Sequence, residues 1–400
     1  MQLDVPLAPP DAFALDPAVV HLNHGSFGAC PRAVLAEQTR LRARVEAATM
    51  RYFVCEWQGD VDRARARVAG WLGGDPDGFV FVPNTTTAVS AVLGSLSFGP
   101  GDELLCTDHT YKACRNALER TARRTGASVV TAAIPWPIAD AADATRAILD
   151  AVTPRTRLAL VDHISSATAL VFDLPAILAG LAARGVDAIV DGAHAPGQVA
   201  LDLRALGAAY YIGNGHKWLC GPKGCAFLHV RADRRAPIHP LVTSHGFASD
   251  YGPPNRFHAE HDWQGSHDPT AYLSLPAAID TIGDFGGGNA TDDGWDAVRA
   301  RNHALALAAR DLLADRLGAG TMAPASMIGA MAVVPISLPD GARALAIEKD
   351  LLLRGWEVPI IEGPRGQALV RVATHVYNRL DEVEGLAVAL AASGIRGATP

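Results

Sequence analysis

Cysteine is sparse in this chain of 400 residues: six in all, Cys30, Cys55, Cys106, Cys114, Cys220 and Cys225. That is far below the density of a disulfide-built scaffold, and no CxxC pair offers zinc-ligand spacing. Reduced thiols, mostly packed, are expected. Charge is also scarce, at 19% of residues with a net balance of −7, which excludes the basic footprint of a nucleic-acid binder. No apolar run reaches the length of a membrane span, and the first twenty residues hold acids and prolines where a secretory leader would hold a basic region and an apolar stretch. The expectation is a cytoplasmic protein without a nucleic-acid or membrane partner. HExxH is missing, and His258, His261 and His267 sit in a Pro/Gly-rich stretch without carboxylates at ligand spacing, so the fourteen histidines predict no metal site. Gly213-Asn214-Gly215 lacks the third glycine of a dinucleotide fingerprint, and Gly221-Pro222-Lys223-Gly224 does not satisfy the phosphate-binding loop pattern. Internal repeats and low-complexity segments are absent.

What is present is a chain 49% hydrophobic and longer than one core usually supports. A large α/β domain over residues 29–282 is expected, with an N-terminal arm (1–28) contributing to its site and a smaller α+β domain over 283–400. Helical patterns at 31–50 and 60–72 precede an alternation of short apolar runs, at 79–82, 103–106, 128–132, 158–161, 188–190, 209–212 and 226–230, with helical stretches. This predicts a mostly parallel central sheet flanked by helices. Ligands of such sheets bind at the carboxyl ends of the strands, where Asn84 to Thr87, Asp108-His109, Asp162-His163, Asp191 and Asn214 fall. The segment 239–265, rich in His, Pro, Gly and aromatics, reads as a long functional loop. Helices at 269–282, 295–317, 342–353 and 380–392 and strands at 331–336 and 368–373 complete the expected architecture.

The strongest chemical signal couples Asp191-Gly192-Ala193-His194 to His216-Lys217-Trp218, with Lys217 following Asp191 by 26 residues. Enzymes of pyridoxal phosphate (PLP) use this arrangement: the lysine forms the Schiff base, and the acid keeps the ring nitrogen protonated so that the ring accepts electrons from an amino-acid α-carbon. Alone, Asp191 reads as readily as a helix cap; its coupling to Lys217 decides for chemistry. Lys217 would then move the proton at Cα, and its apolar neighbours would desolvate the amine and lower its pKa. His194 would lie against the ring or its oxygen, unless it is a satisfied core histidine. Asn84-Thr85-Thr86-Thr87 opens a helix after a strand, offering hydroxyls and N–H groups to a phosphate, or simply a threonine cap. Asn214 and His216 add donors at another strand end. Arg371 interrupts the apolar run Leu369-Val370-Arg371-Val372-Ala373, so it faces a cavity, as a carboxylate clamp or in a buried ion pair.

In the order and spacing of these motifs the chain resembles fold-type I PLP enzymes of aminotransferase class V, in the isopenicillin N epimerase-like branch. His21-Leu22-Asn23-His24-Gly25-Ser26-Phe27-Gly28, Asp108-His109-Thr110-Tyr111, Asp162-His163-Ile164-Ser165-Ser166, Trp263-Gln264-Gly265-Ser266-His267-Asp268 and His375-Val376-Tyr377-Asn378 extend the likeness over nearly the whole chain. The resemblance implies that Lys217 carries PLP, Asp191 pairs with the ring nitrogen, and Thr85, Thr86, Asn214 and His216 surround the phosphate. It implies ring stacking by Tyr111, with His109 the alternative, and contact of Ser166 and His194 with the ring oxygen. Asn23, His24 and Arg371 match positions around the substrate carboxylate. Ser266 would reach the phosphate of a neighbouring subunit, which implies a homodimer with shared sites. Two departures stand out. His267 replaces the usual arginine, making any anion contact there weaker or pH-dependent, and Gly215 replaces a side chain, leaving extra room beside Lys217.

The branch contains epimerases, C–S lyases and enzymes remodelling amino-acid units, and the shared motifs do not separate them. Cysteine desulfuration is set aside, because no nucleophilic cysteine lies in 354–370 ahead of Arg371. Elimination needs only Lys217, the electron sink and a leaving group such as a thiolate, so C–S β-elimination, or related Cα/Cβ cleavage, of a bulky cysteine-type conjugate is expected. Epimerisation, or decarboxylative deamination of a conjugate, is the alternative. A PLP-binding sensor without turnover lacks its customary basic module here, and a nicotinamide oxidoreductase lacks its glycines.

Overall fold

The fold is described from a computed structural model covering residues 3–9, 11–248, 250, 252–287 and 292–399. Its centre is a seven-stranded sheet of β1 (Phe79–Val82), β2 (Glu103–Thr107), β3 (Ser128–Ala132), β4 (Thr156–Asp162), β5 (Asp187–Asp191), β6 (Tyr210–Asn214) and β7 (Ala226–Val230). The spatial order is β1-β7-β6-β5-β4-β2-β3. All pairings are parallel except those of β7, which runs antiparallel to β1 and β6. The five strands β1, β2, β5, β6 and β7 are buried on both faces nearly throughout, while the edge strand β3 is half open. That is why they read as continuous apolar runs rather than alternating ones. The helices Thr85–Ser95 and Lys112–Thr125 supply Val89, Val92, Cys114 and Leu118 to the core on one face. The opposite face packs on the helices Trp57–Trp71, Leu174–Ala182 and Leu275–Phe285.

A second, antiparallel sheet contains Ile360–Glu362, Ala368–Ala373, Met331–Ser337 and Arg396–Gly397, in that order. Its two long strands are the expected ones; the other two, of three and two residues, are too short to carry a pattern. Asp292–Leu317 and Leu380–Ala392 cover it. The core of the large sheet continues into it through Met331, Val333, Leu369 and Ala373.

The N-terminal arm is tied to this second sheet. Val20–His21 pairs in parallel with Trp356–Glu357, and Asn23 bridges Ala373, so the arm enters the cleft between the sheets. Gly28 permits that entry: its φ is +72°, and a Cβ there would lie 2.1 Å from the His216 carbonyl oxygen.

Two expectations need correction. Segment 239–265 is not loop throughout, since Arg256–Asp262 forms a helix capped by the Asn255 side chain on the N–H of Phe257; residues 249 and 251 lie outside those described. Phe257 to His261, with His258 and His261 among them, are all buried. Gly215 leaves no extra room either. A Cβ there would meet Leu275 at 2.7 Å and the Cys225 sulfur at 3.0 Å, so neighbouring side chains already fill the space.

Candidate active site

The carboxyl ends of β4, β5 and β6 carry Asp162, Asp191 and Asn214, and the helix Thr85–Ser95 begins just beyond β1. Together they enclose a cavity of about 160 Å³, closed by Ser166, Lys217 and the arm's Ser26 and Phe27. Of the residues expected at the site, Thr85, Thr86, Tyr111, Ser166, Asp191, His194, Asn214, His216 and Lys217 all line it.

Lys217 Nζ lies 3.0 Å from His194 Nε2. The indole N–H of Trp218 donates to His194 Nδ1 at 3.3 Å. An indole can only donate, so Nδ1 is an acceptor and the proton of the neutral imidazole sits on Nε2. That N–H faces the lysine, which suits a neutral amine with a free lone pair and not an ammonium. Electrostatics agree: burial, and secondarily the Arg371 charge, push the Lys217 pKa down to about 8, against the pull of Asp191. Burial likewise holds His194 well below the usual histidine range.

Asp191 is 3% exposed. Its Oδ1 accepts the N–H of Ala193 at 3.0 Å, and its Oδ2 accepts the Cys114 thiol at 3.2 Å. At the other end of the cavity, Asn84 caps the helix by accepting from the N–H and hydroxyl of Thr87, and Asn214 Oδ1 accepts the N–H of Thr85 at 3.1 Å. The Thr85 hydroxyl is left buried without a partner, an orphan donor beside the cavity of the kind an anion would satisfy. His216 is anchored through Nδ1 to the Cys225 carbonyl at 3.1 Å.

Arg371 is 3% exposed and forms no ion pair among the described residues. Its Nη1 donates to the Ser166 carbonyl at 2.6 Å, and its Nη2 to Ser26 Oγ at 2.9 Å and Asn23 Oδ1 at 3.2 Å. Its Nε finds no partner. Of the two readings left open for Arg371, the buried ion pair is therefore absent. Burial brings its pKa down to about 10.

Other expected residues lie outside this cavity. His109 is buried with its Nδ1 2.7 Å from the Thr168 hydroxyl and its ring edge-on to Trp136, whereas Tyr111 is 47% exposed at the cavity wall. His24 lies beneath Lys217. Its Nε2 donates to the Lys217 carbonyl at 3.1 Å, and its Nδ1 accepts the Tyr377 hydroxyl at 2.9 Å. Ser266 and His267 line a different hollow of about 330 Å³ beside Thr87, where His267 bonds the Gly265 carbonyl and the Tyr272 hydroxyl.

Sequence reasoning placed Asp162 at the ligand-binding strand ends without a role, and did not assign Ser26, Cys114 or Trp218 to the site. His24, Cys220 and His375 also bring three possible metal ligands within 4.8 Å. Their two imidazoles stack at 4.0 Å and 19°, so the in-plane lone pairs run side by side and do not converge on one ion. The cluster instead props the backbone that carries Lys217.

A buried lysine of lowered pKa, a strand-end acid and an anion-ready helix start at one sheet edge suit one class of protein, the PLP-dependent enzymes. The chain belongs to the aminotransferase class V family, whose model matches residues 30–386. It is 35% identical over 387 residues to an isopenicillin N epimerase of Streptomyces clavuligerus, covering 94% of this chain and 95% of the relative. It is 32% identical over 418 residues to a putative L-cysteine desulfhydrase of Oryza sativa subsp. japonica, covering 94% and 85%. Among solved structures, a mutant of the protein C-DES with glycine covalently linked to its PLP cofactor superposes with a TM-score of 0.79 at 22% identity, over 96% of this chain and 99% of that one. This last likeness is one of fold. Family, fold class and PLP as the cofactor thus accord with expectation. No helix among the described residues is long and apolar enough to cross a membrane.

Proposed function

We propose that this PLP enzyme is a C–S lyase that eliminates a thiolate from the β-carbon of a cysteine-type substrate. The observation that carries the reading is the Lys217–His194 pair, a single buried amine whose pKa is lowered to about 8 at the cavity wall. When bound, PLP supplies the electron sink that stabilises negative charge at the substrate α-carbon.

Lys217 would hold the cofactor, and its free amine would take the proton from Cα. The electron pair of that C–H bond forms the Cα–Cβ double bond as the C–S pair departs with the sulfur. Water then completes the conversion to a keto acid and ammonia. Asp191 would hold the ring nitrogen; Thr85, Thr86, Asn214 and His216 would hold the phosphate; Tyr111 would cover the ring, and Ser166 and His194 would hold its oxygen. Arg371, buried among neutral acceptors, receives the substrate carboxylate with help from Asn23. A carboxylate there would compensate a cation that the fold leaves unpaired.

Epimerisation remains the second reading, favoured by the epimerase relative at 35% identity. It requires a proton donor on the face opposite Lys217, a role for which the sequence singles out no residue. Elimination uses only the base already in place.

The proposal includes a homodimer. Leu241 and Val242, both at least half exposed, line the hollow that holds Ser266, and a second copy would cover them and bring Ser266 to its own phosphate site. Thiol and keto-acid release from a panel of cysteine S-conjugates, compared between the wild type and Lys217→Ala, tests the reaction. Equal release by both proteins would refute it.

A further inference from the structure

Asp162 lines the cavity, and the chemistry above gives it no task. We propose that Asp162 is a positioning residue for Asp191: its carboxyl O–H donates to the Asp191 carboxylate and fixes the edge that Asp191 turns towards the ring nitrogen of PLP. The inference rests on the cavity being the PLP site, and not on which reaction follows.

The sheet sets the geometry. Asp162 and Asp191 are direct register partners at the ends of the parallel strands β4 and β5. Register partners in a parallel pair point to the same face, with their strands about 4.8 Å apart, within reach of two carboxyl groups. Both residues are 3% exposed, and Asp162 Oδ2 is buried without a partner.

Two ionised carboxylates cannot share so dry a site, so one of them keeps a proton. The groups facing Asp162 indicate which. They are Asp191 on β5, Cys106 on β2, and Thr110 and Cys114 around the start of the helix Lys112–Thr125, with no cation among them. Burial, and then the Asp191 charge, push Asp162 well above the usual carboxylate range. Asp191 already accepts two hydrogen bonds while Asp162 Oδ2 has no partner, so Asp162 is assigned the proton and has an O–H to donate.

A carboxylate offers about four acceptor positions. On Asp191 the Ala193 N–H and the Cys114 thiol occupy two. The Asp162 O–H takes a third, which leaves one for the ring nitrogen.

The test compares Asp162→Asn, whose neutral amide keeps a donor, with Asp162→Ala, which removes it. PLP is titrated into each apo-protein, and the absorbance of the bound cofactor is followed against pH. Asn is expected to stay within about twofold of wild-type affinity and to keep the wild-type pH profile. Ala is expected to lose roughly tenfold or more in affinity, the scale of one hydrogen bond to a charged group, and to shift the profile. Should the Ala protein fail to fold, Asp162→Ser, too short to span the strand spacing, replaces it. An Asn variant as impaired as Ala, or an Ala variant indistinguishable from wild type in both readouts, overturns the role assigned to Asp162. A wild-type protein that binds no PLP overturns the cofactor site itself, and with it this inference.

Discussion

His194 Nε2 and Lys217 Nζ stand 3.0 Å apart, and the proton between them belongs to the histidine because Trp218 occupies its other nitrogen. The lysine is thereby presented as a nucleophile before any ligand arrives. Since its pKa is lowered to about 8, the neutral fraction rises with pH up to and through that value. Capture of PLP by the apo-protein should accelerate as pH is raised from 6 to 8 and level off above about 9. Stopped-flow absorbance at several pH values checks this; a rate that falls with pH over that range would contradict it.

Trp218→Phe removes the donor that selects the His194 tautomer. With the tautomer free, His194 can turn a lone pair to Lys217 and favour its ammonium form. Capture of PLP near pH 7 should slow by about 3- to 10-fold, equivalent to about one hydrogen bond, and the midpoint of its pH profile should rise. An unchanged midpoint would show that burial alone sets the lysine.

Arg371→Lys should raise KM for amino-acid substrates by roughly 10- to 100-fold, because a single ammonium cannot reproduce the two-pronged guanidinium contact. Steady-state kinetics measures it. Thermal stability should hold or rise in Arg371→Met, since the wild-type cation is buried without an anionic partner. Calorimetry on the apo-protein reads that second effect.

The fold was largely legible because strands buried on both faces produce apolar runs that contrast with the helices between them. The strands β1 and β3 occur at 79–82 and 128–132 as expected. Lys217, Asp191 and Asn214 were legible for the same reason: each sits at or just beyond a strand end, and strand ends can be read from composition. What could not be read depends on register and on contacts across the cleft. Asp162 meets Asp191 only because β4 and β5 pair in step, which no local pattern encodes. His24 matched a substrate-binding position, yet its bonds run to the Lys217 carbonyl and Tyr377. Gly215 read as open space because Leu275, distant in sequence, is the residue that fills it.

If Ser266 serves the neighbouring subunit, the protein should elute at twice the chain mass, and a charged substitution beside the Ser266 hollow, Val242→Asp, should weaken both dimerisation and PLP retention. Light scattering coupled to size exclusion, with cofactor absorbance recorded on the same column, reports the two together. A monomer that retains PLP fully would contradict the shared site.

The central claim is that Lys217 removes the α-proton and that the C–S bond then breaks. It is tested most directly by mass spectrometry of cysteine S-conjugates incubated with the holoenzyme in deuterium oxide. The account predicts free thiol, keto acid and ammonia, all lost in Lys217→Ala by about 10³-fold or more. Deuterium entering an intact substrate with loss of optical purity, and no thiol released, would contradict it and establish epimerisation in its place.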